Sequence, residues 1–252
     1  MNTYTNIEKT ISQKGAAYFV LIDPDKLEIS QTQKFIAHCE RSGVDGFLVG
    51  GSLMINGNLE KSIEEIKNST SLPVIIFPGS VNQLSDKANA VLFLSLISGR
   101  NAEHLIGKHV LAAPMIKKYN LETISTGYML IESGKTTTAE YVSESKPIPR
   151  DKPEIATATA LAGEYLGLKL IYLEGGSGAK NSVPNEMIEM VSSQVTVPVV
   201  VGGGIRTPEE AGQKVKAGAK IIVTGNFFEN KNNWELVSQF ADAVHSNHTI
   251  VV

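Results

Sequence analysis

The sequence predicts a single (β/α)8 barrel, a TIM barrel of the α/β class spanning residues 1–252, with a degenerate or missing third helix. Three observations predict it. The length of 252 residues is near the roughly 250 typical of such barrels. Eight short apolar runs alternate with stretches of helical periodicity. Glycine-rich segments follow the last three of those runs.

The runs are Ala17–Ile22, Asp45–Val49, Val74–Phe77, Ala90–Leu94, Gly127–Ile131, Leu170–Leu173, Val199–Val201 and Ile221–Val223. They are apolar almost throughout, as strands of a parallel sheet covered on both faces should be. The stretches between them carry helix punctuation. Ser30 stands where it could cap the segment reaching Arg41, Thr207 precedes Pro208-Glu209-Glu210, and Gly43 and Gly218 sit where helices should end.

Two connections depart from this rhythm. After Phe77 only about a dozen residues, Pro78–Asn89, precede the next run, close to the minimum for a crossover with its helix. This spacing predicts the degenerate or missing third helix. Between Ile131 and Leu168 the chain passes first through the polar stretch Glu132–Pro153, then through an alanine-rich helical segment, Glu154–Gly167. The polar stretch suits either a mobile lid or an ordered surface excursion.

Composition narrows the function. A formal net charge of −3 lacks the basic excess of a nucleic-acid binder, so an anionic ligand must be held by local groups. Cys39 is the only cysteine, which excludes an intramolecular disulfide. The polar start, Met1 to Gly15, lacks the apolar stretch of a signal peptide, and no apolar run approaches the ~20 residues needed to span a bilayer. A soluble, cytoplasmic protein is expected, whose contact with a membrane is peripheral.

Active sites of these barrels lie at the C-terminal ends of the strands. The sixth run leads into Tyr172-Leu-Glu-Gly-Gly-Ser-Gly178, the seventh into Gly202-Gly-Gly-Ile-Arg-Thr-Pro208, and the eighth into Gly225-Asn226. Glycine lets backbone N–H groups turn toward an anion, and helix N-termini add favourable partial charge. One such loop is only a tight turn; three at adjacent strand ends make a phosphate cradle. The first run ends in Asp23-Pro-Asp-Lys26 and the second in Gly50-Gly-Ser52, which places hard oxygen ligands at neighbouring strand ends. One carboxylate and one hydroxyl suit Mg²⁺, which keeps waters and takes the remaining oxygens from substrate phosphates. In the competing role Asp23 caps the next turn and Asp25 pairs with Lys26.

Histidine defines no zinc site here, since His38, His104, His109, His245 and His248 are not paired in a metal-binding pattern. Cys39 falls in a predicted helix as a small core residue. Glu174, beside the cradle, could accept a proton from a substrate hydroxyl, or simply bond loop backbone. Tyr172 could bond phosphate or pack.

These segments resemble the geranylgeranylglyceryl phosphate synthase family, together with its bacterial relatives that act on heptaprenyl diphosphate. The resemblance runs nearly end to end. It is carried by Leu21-Ile-Asp-Pro-Asp-Lys26, Asp45-Gly-Phe-Leu-Val-Gly-Gly-Ser52, Phe77-Pro-Gly79, Ser125-Thr-Gly-Tyr-Met-Leu-Ile131, Tyr172–Gly178, Val201–Arg206 and Thr224-Gly-Asn226. It implies a barrel without its third helix and transfer of a polyprenyl group from its diphosphate to the 3-hydroxyl of sn-glycerol 1-phosphate, in ether-lipid synthesis, with Mg²⁺ as cofactor. By position, Asp23 and Ser52 would bind the metal and through it the diphosphate. Tyr172, Leu173, Glu174, Gly175, Gly176, Ser177, Gly178, Gly203, Gly204, Gly225 and Asn226 would bind glycerol phosphate, and Asp23 and Glu174 would be the catalytic pair, with Glu174 orienting or deprotonating the attacking hydroxyl. Leu21 stands where heptaprenyl-type members carry a lysine, which together with the long Glu132–Pro153 stretch implies the archaeal-type group and a geranylgeranyl donor. The resemblance also implies a homo-oligomer, a dimer or a hexamer.

Two rivals remain at this stage. One is a metal-independent isomerase of a phosphorylated sugar or amino-sugar, with Asp23 and a second carboxylate such as Glu132 exchanging protons; the other is a barrel that binds phosphates without turnover. The absence of an Asp-Asp-x-x-Asp motif excludes an ordinary helical prenyltransferase.

Overall fold

The computed structural model describes residues 2–26 and 29–245, and the side chains of residues 29 and 30 are not among what it describes. The eight expected strands all form: β1 (Ala17–Ile22), β2 (Gly46–Val49), β3 (Val74–Ile76), β4 (Ala90–Leu96), β5 (Glu122–Leu130), β6 (Leu170–Glu174), β7 (Val199–Gly202) and β8 (Ile221–Thr224). Each pairs in parallel with its neighbours, and β1 pairs with β8 to close the barrel. Alternation along each strand divides the core into two layers. In β6, Leu170 and Tyr172 face the barrel interior, whereas Ile171 and Leu173 face the helices.

The helices are α1 (Thr3–Lys14), α2 (Ile29–Arg41), α3 (Leu59–Lys67), α4 (Lys108–Tyr119, after a π-helical turn at Glu103–Gly107), α5 (Thr138–Ser143), α6 (Pro153–Tyr165), α7 (Asn185–Ser192), α8 (Pro208–Lys216) and α9 (Val237–His245). Thr207 caps α8 by accepting from Glu210 N–H, and Gly43 and Gly218 take positive φ just past α2 and α8. Helix α2 opens at Ile29, so Ser30 lies inside its first turn rather than before it, and its side chain is outside the described residues. None of the described helices is long and apolar enough to cross a membrane.

Between β3 and β4 no helix forms. The side chain of Gln83, 3% exposed, organises this connection. It accepts from Gly79 N–H (3.0 Å) and donates to Gly51 O (3.1 Å), tying the segment after β3 to the segment after β2. The stretch 132–153 is ordered: it carries the short helix α5 and returns to the barrel through a parallel bridge of Ile131 with Ile148.

Two features were not anticipated from sequence. Helix α1 closes the N-terminal end of the barrel, with Ile7 joining the interior layer. Its first N–H groups, those of Thr3 and Tyr4, donate to the Glu122 carboxylate (2.6 and 2.9 Å), which satisfies donors that a helix start leaves open. Strand β5 accordingly begins at Glu122, not at Gly127, and its added residues pair with the start of β4. Asp45 joins the same end of the molecule: it receives Tyr18 N–H (2.8 Å), Lys14 Nζ (2.5 Å) and His245 Nε2 (2.8 Å), and so links β1, α1 and α9.

Candidate functional site

The C-terminal ends of the strands surround a cavity of about 560 Å³. Three glycine-bearing loops line one side of it. After β7, Gly203 and Gly204 have φ of 81° and 76°; after β6, Gly176 and Gly178 have φ of 94° and 68°. The requirement for glycine is also one of space. A Cβ on Gly203 would overlap a Glu174 carboxylate oxygen and the backbone nitrogen of Gly176, and one on Gly204 would press on the backbone of Asn181 and Ser182. Among the described residues no hydrogen bond takes the N–H of Gly203, Gly204 or Gly225. Buried backbone donors are normally satisfied, so these groups at a cavity wall suit an anion.

The expected glycerol phosphate residues do not all reach this wall. Ser177, Gly178, Gly203, Gly204, Gly225, Asn226, Tyr172 and Glu174 line the cavity. Leu173 does not: strand alternation turns its fully buried side chain to the helix layer. Gly175 and Gly176 shape the loop from within. The N–H of Gly175 goes to Gly202 O (2.9 Å) and that of Gly176 to Glu174 Oε1 (2.6 Å). Ser177 Oγ–H and Gly178 N–H both donate to Asn226 Oδ1 (2.8 and 3.2 Å).

Glu174, 6% exposed, is at the end of β6 directly beside this cradle. Burial pushes its carboxyl up to about 7, against the opposing pull of Gly176 N–H and the Tyr172 hydroxyl. Desolvation of the charged form is the dominant cause. The Tyr172 hydroxyl is turned toward that carboxylate, short of full hydrogen-bond geometry. Tyr172 stacks on Phe77 (5.5 Å between centroids) and meets Tyr128 edge-on (5.5 Å), so an aromatic floor lies under the carboxylate.

Across the mouth, Asp23 and Ser52 both line the cavity, at the ends of β1 and β2. A Cβ on Gly51 would sit 3.3 Å from Asp23 Oδ1, which places the Asp23 carboxylate over the residue preceding Ser52. Burial raises the Asp23 carboxyl above the usual carboxylate range; Asp25 N–H pulls it back, the Asp25 charge adds to the rise, and Lys26 opposes it. Asp25 is not a surface partner of Lys26 alone. It accepts the N–H groups of Ile55 (2.7 Å), Asn56 (2.9 Å) and Gly57, so it fastens the loop that carries Ser52 to the loop that carries Asp23.

The donor set fits a hard cation. Among the described residues there is no cluster of three or more His, Cys, Asp or Glu, but Mg²⁺ needs no such cage when phosphate oxygens and water complete its shell. Asp23 and Ser52 offer oxygen alone, the donor type that Mg²⁺ prefers.

The cavity also runs over the rim of β4. Its lining includes Leu92 and Leu94, which face the interior layer, and Val91 and Phe93, which face outward. Leu84, Ala112 and Ile116 complete this outer groove in the place that a helix after β3 would fill. His109, 8% exposed, turns from α4 onto the edge of Phe93 (4.5 Å) and bonds Ser95 Oγ through Nε2 (3.2 Å). Sequence reading did not place this groove, because only the fold brings Phe93, Leu84, Ala112 and Ile116 together. It also missed Glu229, a cavity-lining carboxylate five residues past β8.

The isomerase rival names Glu132 as an example of the second carboxylate in the mouth. Glu132 is exposed and outside the cavity lining, and its backbone carbonyl accepts from Arg150 (3.0 Å). Glu132 is therefore not the partner of Asp23 in this cavity.

Comparisons with known proteins bear on the whole chain. The model of the PcrB family matches residues 8–244. A geranylgeranylglyceryl phosphate synthase from Chitinophaga pinensis is 49% identical over 92% of each chain, and one from Pyrococcus horikoshii is 42% identical over 95% of each. Among solved structures, (S)-3-O-geranylgeranylglyceryl phosphate synthase from Thermoplasma acidophilum, in complex with its substrate sn-glycerol-1-phosphate, superposes with a TM-score of 0.91 at 34% identity. The match covers 98% of this chain and 99% of that one. Tryptophan synthase alpha chain from Legionella pneumophila, at 14% identity and a TM-score of 0.60, shares the fold alone.

Proposed function

The chain belongs to the PcrB family, and from that premise we infer that it is a prenyltransferase joining a geranylgeranyl group to the 3-hydroxyl of sn-glycerol 1-phosphate, giving a prenylglyceryl phosphate for ether lipids. The observation that carries this reading is the placement of Glu174. A buried carboxyl poised near neutrality lies against the glycine cradle, within reach of a hydroxyl on any small phosphate ester seated there.

The roles of the chain's own groups follow. The open N–H groups of Gly203, Gly204 and Gly225 bind the phosphate of the acceptor, each charge-assisted hydrogen bond contributing roughly 1.5–3 kcal/mol. Ionised Glu174 accepts the proton of the 3-hydroxyl as its oxygen attacks C1 of the donor. The new C–O bond forms, the bond from C1 to diphosphate breaks, and the diphosphate leaves with the bonding pair. Asp23 and Ser52 would hold Mg²⁺, which supplies charge neutralisation for the diphosphate. The outer groove along β4 takes the apolar tail, which excludes water from the reacting carbon.

We place self-association of the chain on α4. Val110 and Leu111 are 63% and 67% exposed, on the side of this helix away from buried His109 and Ile116, and apolar exposure of that kind marks an interaction surface. Val110→Glu with Leu111→Glu is expected to convert an oligomer to monomer in light-scattering measurements, with activity per chain retained. A wild type that is already monomeric would refute this placement.

The function is tested by incubating the purified protein with sn-glycerol 1-phosphate, Mg²⁺ and a mixture of farnesyl, geranylgeranyl and heptaprenyl diphosphates, and weighing the products. A single geranylgeranylglyceryl phosphate, lost on adding EDTA, is expected. Formation of the heptaprenyl product instead would keep the reaction and overturn the tail length, and no product from any donor would overturn the reading.

A further inference from the structure

Asn226 bridges the ends of two strands that are not neighbours. Its Oδ1 receives Ser177 Oγ–H (2.8 Å) and Gly178 N–H (3.2 Å) from the loop after β6, while its Nδ2 donates to Glu229 Oε1 (2.7 Å) in its own turn after β8. The bridge joins the loop after β6 to the turn after β8, the strands on either side of β7. Its orientation matters, because a side-chain amide is nearly symmetric in shape but not in chemistry. Turned end for end, Asn226 would present its NH₂ to Gly178 N–H, which can only donate, and that bond would be lost.

Of the two groups at Oδ1, only Gly178 N–H favours this orientation, since the Ser177 hydroxyl can accept as readily as it donates. Glu229 adds a stronger preference at the other end of the amide. An ionised carboxylate only accepts, so it draws the NH₂ end and repels Oδ1, and a hydrogen bond to a charged group is stronger than a neutral one. Glu229 is itself held in place, because the preceding residue, Phe228, is a fully buried anchor against Phe35 and Phe240. We propose that Glu229 is a positioning residue for the acceptor phosphate site: its carboxylate fixes the Asn226 amide in the orientation that ties the Ser177–Gly178 loop to the Gly225 loop.

This proposal rests on the reading that the glycine cradle holds sn-glycerol 1-phosphate, and its test separates the two. Calorimetric titration with sn-glycerol 1-phosphate alone, without prenyl donor, is made on wild type, Glu229→Ala and Glu229→Gln, with melting temperatures and steady-state constants alongside. Glu229→Ala is expected to weaken binding and raise KM for sn-glycerol 1-phosphate about tenfold, the loss of one charge-assisted hydrogen bond, while kcat, KM for the donor and the melting temperature stay near wild type. Glu229→Gln, whose amide oxygen still accepts, should recover part of that loss. Unchanged binding in Glu229→Ala would overturn the strut alone. Equal losses for donor and acceptor with a lowered melting temperature would show a merely structural role and overturn it as well. A wild type that binds no sn-glycerol 1-phosphate would overturn the reading of the site, and the proposal with it.

Discussion

Glu174→Gln is expected to lower kcat by roughly 10²–10⁴-fold, the range for loss of a positioned general base, while binding of sn-glycerol 1-phosphate falls far less. The amide keeps the shape of the side chain and can still accept Gly176 N–H, so the cradle should survive. The pH dependence gives an independent check. A base must be ionised to work, and burial pushes this carboxyl up to about 7, so kcat should rise with pH through that region in the wild type and lose that rise in Glu174→Gln. The same shift acts on stability with a definite sign. The folded protein holds this proton more tightly than the unfolded chain does, so Glu174 favours folding below the ordinary carboxylate range and loses that contribution as pH rises through about 7. Glu174→Gln, which cannot ionise, should therefore melt above wild type at pH 8. An unchanged kcat would show that the hydroxyl loses its proton elsewhere.

Asp23→Asn is expected to reduce turnover by about 10³-fold or more, since charge stabilisation at the leaving group is usually the largest single contribution to such a step. The loss should fall on the donor side. KM for the prenyl diphosphate should rise and the Mg²⁺ dependence should weaken, whereas calorimetric binding of sn-glycerol 1-phosphate, held at the opposite wall, should be unchanged. Stability is not expected to suffer, because burial already disfavours the Asp23 charge and asparagine removes it. If the variant kept its donor KM and its response to EDTA, Asp23 would be only the turn-capping residue that its Asp25 N–H contact also allows.

The fold was legible because apolar strands and glycine-ended helices leave a strong local signal; all eight runs became strands, and the short Pro78–Asn89 connection became the missing helix. What escaped depends on contacts distant in sequence. The first half of β5 reads as polar chain, and only the pairing of Glu122 with the start of α1 explains a glutamate at a strand end. The site was legible to the level of loops, not of side chains. Asp23, Ser52, Glu174 and the paired glycines fall where strand ends place them, but Leu173 belongs to the other face of β6 by simple alternation. Glu229 lies beyond the strand-end window, in a turn whose geometry the sequence does not announce. The Glu132–Pro153 stretch was ambiguous between lid and excursion, and it forms a wall: Thr138, Ala139, Val142 and Ser143 of α5 face the cavity.

The groove on the outer side of β4 has a meaning for assembly of the barrel itself. Phe93, half-buried, forms part of it with Val91, Leu84 and Ile116. A prenyl tail lying there would act as a replaceable piece of the protein's own hydrophobic layer, burying about 0.8 kcal/mol per methylene. On this reading the substrate is a detachable structural part, and the enzyme is architecturally finished only while it is loaded. Release of the product then carries the cost of baring that layer to water again, which ties the pace of turnover to whatever apolar surface stands ready to receive the lipid.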